Sequence, residues 1–401
     1  MGWIEFGDSV MMIIMMKKKQ LGQFFTTNAD YILQGFEKNI KGKKITDPFA
    51  GSRDLMKWSK KYGAESIVGF DVDKNLIDER EVFYNDSLNN PKEYNFVITN
   101  PPYLHKNKAD KETKSICFSG ENSIFEDLYQ VSLKAISKSN EGIVVVPLNF
   151  LSAENSEKIR EIFFYKFKIT RLNIFTEQVF NDTTYNVISF HYTKKDQNAD
   201  KMIFNAHIFP NNHKIKIELN KNYGWQLGGE FISKVNSAKN TLGIYRLTVK
   251  DLKRGPSSIR LAFNNIKDIE EKKLDGVLKN AIENNIIFLR AIDSKNGKKI
   301  QLEDIRKYKV YGLVGKETSR NMAYLMFKEP LPIKEQQKLI ELFNKELKHA
   351  RKKHLSLFLT NFRDNNRKRI SFDFVYKFLN YLYINRLSNN KHNYQPSLLP
   401  A

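Results

Sequence analysis

The sequence has little that would support metal binding, disulfides or membrane insertion. Cys117 is the single cysteine among 401 residues, and the seven histidines are scattered. One cysteine excludes an intrachain disulfide framework and a zinc site built from several cysteines, and no metal is expected. The apolar run Val10–Met16 is only seven residues long, which is too short to span a bilayer. No basic residue precedes it, so it is a poor signal peptide, and no membrane association is expected.

Two common ligand-binding fingerprints are also missing. The sequence contains no Gly-x-Gly-x-x-Gly motif after a predicted strand and no Walker lysine pattern. These motifs place glycine backbone and a helix N-terminus against phosphate groups. Neither a dinucleotide nor a nucleoside triphosphate is therefore the favoured ligand.

The positive charge is concentrated in one half of the chain. The net charge is +21, from 66 basic and 45 acidic residues. Residues 1–200 hold 27 basic and 27 acidic residues, whereas residues 201–401 hold 39 and 18. A generally lysine-rich proteome would not leave the first half neutral. The distribution favours a chemical domain joined to a domain that binds a polyanion.

Short apolar runs alternate with helical patterns through the first half, which predicts an α/β fold with a doubly wound, mostly parallel sheet. Four successive predicted strands end in polar side chains, namely Asp47, Asp71, Asp86 and Asn100. Ligands of such sheets bind at the carboxyl ends of the strands. The series therefore predicts one ligand site along this edge, where Ala50 and Gly51 allow close approach of a ligand to the backbone.

The stretch Asn100-Pro101-Pro102-Tyr103 follows the apolar run Phe96–Ile98. Two prolines fix φ and keep the residue before each of them extended. Because proline has no N–H, the loop accepts hydrogen bonds better than it donates them. Such a loop suits a substrate amino group, although by itself it could equally be an ordinary turn at the end of a strand.

In order and spacing, Gly22–Thr26, Asp47–Gly51, Asp71, Asp86 and Asn100–Tyr103 resemble the S-adenosylmethionine-dependent DNA N6-adenine methyltransferases of the gamma motif order. The resemblance covers about residues 17–195. It implies a Rossmann-like catalytic domain that binds S-adenosylmethionine and releases S-adenosylhomocysteine. The cofactor-binding residues implied are Gln23, Phe24, Thr26, Asp47, Pro48, Phe49, Ala50, Gly51, Asp71, Val72, Asp86 and Ser87. The chain departs from the family pattern at Thr27, where proline is common, and at Ser52-Arg53, where a second glycine is common.

The resemblance also implies the catalytic chemistry. Asn100, Pro101, Pro102 and Tyr103 form the catalytic loop, in which the Asn100 side chain and the Pro101 carbonyl accept the hydrogens of the adenine amine. The adenine must leave the duplex to reach them, and Tyr103 and Phe180 are expected to stack on it. Phe180 could instead be an ordinary core aromatic.

The expected organisation has three parts. Residues 1–16 are a disordered extension, residues 17–195 the catalytic domain, and residues 196–401 a basic, mixed α+β domain that recognises the DNA target. The expected contacts with the DNA backbone are Lys253, Arg254, Arg260, Arg351, Arg367 and Arg369. The resemblance implies double-stranded DNA as the partner, in a prokaryotic cytoplasm, and it allows a cognate restriction endonuclease that acts as a separate protein.

Three alternatives stay open at this point. Asn-Pro-Pro-Tyr also occurs in enzymes that methylate a glutamine amide of proteins, because that amide poses the same chemical problem. An RNA adenine methyltransferase would share the fold and the N-terminal motif. The third alternative is a DNA-binding protein with an inactive methyltransferase domain, which the intact Asn100–Tyr103 stretch disfavours.

Overall fold

The computed structural model describes residues 22, 24, 26–180, 185–195, 199–294, 297–361 and 367–388. The extension predicted at residues 1–16 lies outside these residues. The chain divides into two compact units. The first consists of Met1–Leu227 with Arg363–Asn366, and the second of Gly228–Phe362 with Arg367–Ala401.

The first unit alternates strands and helices, as its sequence pattern predicts. Its strands are β1 (Lys44–Asp47), β2 (Ser66–Asp71), β3 (Val82–Tyr84), β4 (Tyr94–Thr99), β5 (Ser139–Pro147), β6 (Phe167–Phe175), β7 (Val187–Lys194), β8 (Lys201–Phe209) and β9 (His213–Asn220). Its α-helices are α1 (Ala29–Ile32), α2 (Glu37–Ile40), α3 (Asp54–Lys61), α4 (Lys111–Cys117), α5 (Leu128–Ala135), α6 (Asn149–Ser152) and α7 (Glu157–Lys166).

These nine strands form one sheet in the order β3-β2-β1-β4-β5-β7-β6-β8-β9. The five strands from β3 to β5 pair in parallel, and β7 then joins β5 antiparallel. The predicted doubly wound, mostly parallel sheet is confirmed. Because β1 lies between β2 and β4, their carboxyl ends lie side by side. The middle of β4 is fully buried, since Phe96, Val97 and Ile98 are at most 1% exposed.

The predicted domain boundary at residues 195/196 is wrong. That point falls between β7 and β8, and β8 pairs in parallel with β6 in the same sheet, from Arg171↔Asn205 to Phe175↔Phe209. The boundary was misplaced because the polar run Lys194–Lys201 has the composition of a linker between domains, whereas it connects two strands of one sheet. The two compact units divide between Leu227 and Gly228 instead.

The second unit mixes small sheets with helices. Its strands are β10 (Tyr245–Arg246), β11 (Arg254–Phe263), β12 (Asn265–Leu274), β13 (Ile287–Arg290), β14 (Gln301–Asp304), β15 (Gly312–Val314), β16 (Met322–Met326), β17 (Thr360–Asn361) and β18 (Lys368–Arg369). Its α-helices are α8 (Gly229–Asn236), α9 (Gly276–Glu283), α10 (Ile333–Lys353) and α11 (Phe372–Leu382), and a π-helix covers Tyr383–Ser388.

Apolar side chains of the second unit form two buried clusters around a four-stranded sheet, β10-β16-β13-β14. On one side, Leu339, Phe343 and Leu347 of α10 pack with Phe378 of α11. The 21-residue α10 buries this stripe and exposes its lysines. Within the described part of the chain, no helix is long and apolar enough to cross a membrane.

Gly142 of β5 lies where the central strands of the sheet pack closely together. A Cβ at this position would lie 2.5 Å from the Val97 carbonyl oxygen and 2.7 Å from the Tyr192 hydroxyl. We expect Gly142→Ala to lower the free energy of unfolding by about 1–3 kcal/mol, because the strands must move apart to admit a methyl group. Denaturant unfolding followed by circular dichroism measures this change.

Gly276→Ala is the matched control. Its added Cβ would meet only the Ser257 side-chain oxygen, at 3.7 Å, on a helix where alanine is favoured over glycine. Equal stability of the Gly142→Ala variant and the wild type would contradict the close packing of β4, β5 and β7.

Candidate active site

A cavity of about 340 Å³ opens at the carboxyl ends of β1, β2, β3 and β4. Every described residue of the predicted cofactor set lines it, and so do Asn100 and Pro102 of the predicted catalytic loop. Gln23 belongs to the same set but lies outside the described residues. The remaining lining residues, which sequence reasoning did not assign to the site, are Ser52, Asp54, Leu55, Asn85, Leu88, Asp110, Glu112, Thr113, Ile116, Cys117 and Leu128.

Two buried carboxylates form the floor of this cavity. Asp47 is 1% exposed and accepts hydrogen bonds from the Thr99 hydroxyl (2.8 Å) and the Phe49 N–H (3.1 Å). Asp71 accepts from the N–H groups of Gly51 (2.9 Å) and Asp73 (2.8 Å). The pKa of Asp47 is raised to about 7, chiefly by burial, and burial also raises the pKa of Asp71. Ionisation of these two carboxyl groups in the free protein therefore has a free-energy cost.

Asp86 closes the side of the cavity next to β3. Its carboxylate accepts from the backbone N–H groups of Leu88 (3.1 Å) and Asn89 (3.2 Å) and from the Asn89 side-chain amide (2.8 Å). These bonds fix the direction of the carboxylate. Oδ1 accepts both backbone N–H groups and Oδ2 only the side-chain amide, so Oδ2 keeps one lone pair free. Asp86 can therefore accept a further hydrogen bond from a ligand in the cavity.

Gly22, Phe24 and Thr26, in the segment before α1, form hydrogen bonds with the catalytic loop. The Asn100 Nδ2 donates to the Phe24 carbonyl oxygen (2.7 Å) and to the Thr26 Oγ1 (2.9 Å). The Tyr103 N–H donates to the Gly22 carbonyl oxygen (2.8 Å). Gly22 has φ +65°, and a Cβ there would lie 3.0 Å from the Tyr103 backbone. The close approach of the two segments therefore depends on glycine at position 22.

The predicted stacking pair does not present open ring faces. The rings of Tyr103 and Phe180 are 5% and 1% exposed, and their centroids lie 6.5 Å apart at an interplanar angle of 65°. A base between two rings needs parallel faces, so this edge-to-face pair forms no sandwich. Phe24 and Tyr129 also pack against Tyr103 and bury its ring, so stacking on a base by this pair stays a prediction.

The polar, lysine-rich residues 104–124 also contribute to the cavity. They contain α4, whose N-terminus is capped by the Asp110 carboxylate, which accepts from the Thr113 N–H at 2.7 Å. The sequence signal was the Asp-x-x-Thr spacing of a helix N-cap. This helix brings Glu112, Thr113, Ile116 and Cys117 to the cavity wall. Burial raises the pKa of the Cys117 thiol to about 11, so it is no nucleophile at neutral pH.

The cavity lining is acidic and apolar. Among the described residues that line it, none is lysine or arginine, whereas six are acidic: Asp47, Asp54, Asp71, Asp86, Asp110 and Glu112. Val72 and Ile116 border the cavity and expose 46% and 47% of their surface. Such a cavity favours a ligand with positive charge and an apolar ring, and it disfavours phosphate groups.

Arg53 belongs to the pair Ser52-Arg53, where the resembled family often has a second glycine, and it adopts a left-handed conformation with φ +66°. Its guanidinium contacts the Asp78 carboxylate and donates to the Leu76 carbonyl oxygen (3.0 Å). Side-chain contacts therefore hold a conformation that glycine adopts without strain. The same contacts connect the loop that follows β1 to the loop that follows β2.

The cations predicted to contact DNA divide into accessible and buried groups. Lys253, Arg254 and Arg260 are exposed on or next to β11. The expectation that Arg351 contacts DNA is wrong. Arg351 is 5% exposed and donates two hydrogen bonds to the Asp293 carboxylate, at 2.9 and 2.6 Å. Its position in the last turn of a helix suggested that the side chain is exposed, but tertiary packing buries it. Arg367 and Arg369 are partly buried and have interactions of their own.

Residues 12–180 match the family of the Eco57I restriction-modification methylase. The resemblance to restriction–modification DNA methyltransferases is thereby confirmed over this region. The matched region contains β1 to β4, the catalytic loop and every residue of the predicted cofactor set. A search of curated proteins gave no significant match.

Solved structures with a similar arrangement include restriction–modification proteins. The type I methyltransferase subunit from Streptococcus thermophilus is 17% identical over 46% of this chain and 47% of its own, with a TM-score of 0.33. The EcoKI M protein is 15% identical over 47% and 49%, with a TM-score of 0.33. The type IIG restriction endonuclease BpuSI is 10% identical over 91% and 57%, with a TM-score of 0.39. The aligned part spans about half of each of the two methyltransferase subunits, and likenesses this distant carry no functional argument.

The raised pKa of Asp47 leads to a pH-dependent prediction. A buried carboxyl that titrates near 7 keeps a proton that the unfolded chain releases near its ordinary value, so stability falls as pH rises between these two values. Asp47→Asn cannot ionise and keeps the acceptor for Thr99 and Phe49. We expect this variant to gain stability over the wild type from pH 5 to pH 8, on the order of 2 kcal/mol, measured by urea unfolding without ligand.

Asp268→Asn, at an exposed position of β12, is the control and should follow the wild type at both pH values. A stability difference between Asp47→Asn and the wild type that is the same at pH 5 and pH 8 would show that Asp47 does not titrate in this range.

Proposed function

We propose that this protein is a site-specific DNA methyltransferase that transfers a methyl group from S-adenosylmethionine to N6 of an adenine extruded from the duplex. Its biological role would be that of the modification enzyme in a restriction–modification system. The observation that carries the proposal is the Asn100 amide, held next to a cavity whose lining is acidic and free of basic side chains among the described residues.

The cavity fits S-adenosylmethionine on chemical grounds. This cofactor carries a sulfonium and an ammonium group but no phosphate, which agrees with six acidic lining residues. Asp71 follows β2 and can accept hydrogen bonds from ribose hydroxyls, as a carboxylate at this position does in nucleotide-binding sheets. Asp86 can accept from an adenine amino group, and Val72 and Ile116 offer apolar surface to the purine ring.

The catalytic loop supplies acceptors where charge develops. The lone pair of an adenine amine is delocalised into the ring, which makes this nitrogen a poor nucleophile. Asn100 Oδ1 and the Pro101 carbonyl would each accept one amine hydrogen, which favours a pyramidal nitrogen with an available lone pair. When bound, the cofactor supplies the electrophilic methyl group. The loop therefore acts by positioning and by stabilising the charge that develops on nitrogen.

The adenine must leave the base stack to reach a site at the end of β4. Tyr103 and Phe180 lie edge to face in the free protein. Stacking on a base by these two side chains would require their rings to separate, at the cost of their present contacts. Base stacking is worth about 1–3 kcal/mol for each base, which would offset part of that cost.

The second unit is proposed to bind the DNA target. Gly228–Phe362 and Arg367–Ala401 together contain 34 basic and 16 acidic residues, a net charge of +18. A surface with this excess of cations attracts a phosphate backbone through release of counterions. Base-specific contacts need side chains placed in a groove, so the charge supports DNA binding without indicating the target sequence.

A glutamine amide and an adenine in RNA also have an amino nitrogen that is a poor nucleophile. The group that receives the methyl must therefore be identified directly. Methylation-aware sequencing of DNA from cells that express the protein should reveal N6-methyladenine at one recurring sequence. Asn100→Ala should abolish that signal, because the amine loses its side-chain acceptor, while the purified variant still binds DNA. A genome without any modified motif, obtained with folded and expressed protein, would contradict the proposal.

The contribution of β11 to DNA binding gives a further prediction. We expect Arg260→Gln to weaken binding of duplex DNA at low salt and to reduce the slope of log affinity against log salt concentration by about one, because one phosphate contact is lost. Fluorescence anisotropy between 50 and 200 mM salt, roughly the range over which such contacts respond, measures both quantities.

Arg306→Gln is the matched control for that measurement. Arg306 is also an exposed arginine of the second unit, but its guanidinium donates to the Asp304 carboxylate through three bonds of 2.6–3.1 Å. An unchanged salt slope in Arg260→Gln, or an equal loss in both variants, would argue against a phosphate contact at β11.

A further inference from the structure

A side-chain amide can present either of two faces to a substrate. Rotation by 180° about its terminal bond exchanges the carbonyl oxygen, which accepts hydrogen bonds, with the NH2 group, which donates them. Only the first orientation suits an amine substrate, whose hydrogens need an acceptor. The proposed chemistry therefore depends on how firmly the protein holds the Asn100 amide in the accepting orientation.

Both hydrogens of the Asn100 NH2 group already have acceptors. Nδ2 lies 2.7 Å from the Phe24 carbonyl oxygen and 2.9 Å from Thr26 Oγ1. In the rotated amide, Oδ1 would face the Phe24 carbonyl, and two acceptors would be in contact without a hydrogen between them. The segment that contains Phe24 and Thr26 therefore disfavours the unproductive orientation. Thr26 is 3% exposed, so water cannot readily replace its hydroxyl.

The third contact comes from Tyr103. Its single hydroxyl hydrogen is shared between two acceptors, Asn100 Oδ1 and the Val145 carbonyl oxygen on β5, which lies 2.8 Å from the hydroxyl. Burial raises the pKa of this hydroxyl well above its ordinary value, so it stays a donor at physiological pH. The amide oxygen has two lone pairs, and one remains for a substrate hydrogen. Tyr103 thus ties the amide oxygen to the central sheet.

We infer that Thr26 and Tyr103 are positioning residues that act through their hydroxyls to hold the Asn100 amide in its accepting orientation. The inference rests on the proposed methyl transfer and adds to it a role for two hydroxyl groups. Tyr103 then contributes through its oxygen atom, and its buried ring serves to place that atom.

The two possible roles of Tyr103 make opposite predictions for Tyr103→Phe. A phenylalanine keeps the ring, so a role limited to stacking on the base predicts a rate close to that of the wild type. A positioning role predicts a loss of about tenfold in the rate of methyl transfer, the usual effect of one lost hydrogen bond. Binding of cofactor should change little, because Tyr103 is not among the residues that line the cavity.

Thr26 offers a conservative rescue and a neighbouring control. Thr26→Val removes the acceptor for Asn100 Nδ2 at nearly constant volume, and we expect about a tenfold lower rate. Thr26→Ser keeps the hydroxyl and should recover most of the rate that Thr26→Val loses. Thr27→Val makes the same replacement at the next residue, which is exposed, and should leave the rate unchanged.

The measurement is the single-turnover rate of methyl transfer to excess unmethylated plasmid DNA at saturating S-adenosylmethionine, with the full chain. Calorimetric titration with S-adenosylhomocysteine gives cofactor affinity for each variant. Lower rates with preserved affinity in Thr26→Val and Tyr103→Phe support the inference. A wild-type rate in Tyr103→Phe, or a loss of cofactor affinity that accounts for the whole effect in Thr26→Val, overturns it.

A second readout does not require activity. In protein labelled with ¹⁵N-asparagine, the Asn100 side-chain NH2 signal, assigned by its absence in Asn100→Asp, should exchange slowly with solvent. The exchange should become faster in Thr26→Val and stay slow in Thr26→Ser. Fast exchange in the wild type overturns the inference. Failure of the wild type to methylate any DNA, with slow exchange preserved, would instead overturn the proposed function.

Discussion

The orientation of one amide group depends on two segments that are far apart in the chain. Asn100 directly follows β4, and its amide is held by Phe24 and Thr26, which lie 76 and 74 residues earlier. The prolines that follow Asn100 have no N–H groups, so the loop itself offers little that could fix the side chain. The contact between the N-terminal segment and the end of β4 is therefore what makes this loop a defined acceptor site. The sheet order around β4, with β1 on one side and β5 on the other, keeps the acceptor next to the cavity.

The same edge of the sheet holds acidic side chains whose ionisation destabilises the free protein. Asp47 and Asp71 are both largely buried, and the charge of Asp71 contributes to the raised pKa of Asp47. No buried cation compensates them within the described lining of the cavity. Strain and unfavourable burial concentrate at functional sites because binding a ligand recovers their cost. A cationic ligand would lower the electrostatic free energy of both carboxylates, which agrees with the proposed cofactor.

Sequence reasoning succeeded where local pattern decides structure. Buried strands that end in a polar residue identified β1, β2 and β4 and the edge where their ends meet. It failed where packing across the fold decides. The helix α4 lies at the cavity because the chain returns there after the catalytic loop, and no local pattern predicts that return. Arg351 and the ring of Tyr103 are buried by residues distant in sequence, and the strands β8 and β9 extend a sheet that the charge pattern suggested had ended.

The sequence by itself therefore determined the class of fold, the series of strand ends and the types of residue at the site, because alternating apolar runs and proline restrictions act over a few neighbouring positions. Only the tertiary structure decided which atoms of those residues are available. It directs the Tyr103 hydroxyl to Asn100 and Val145 and uses both hydrogens of the Asn100 amide. Hydrogen-bond partners depend on distances between segments, and those distances exist only once the sheet has formed.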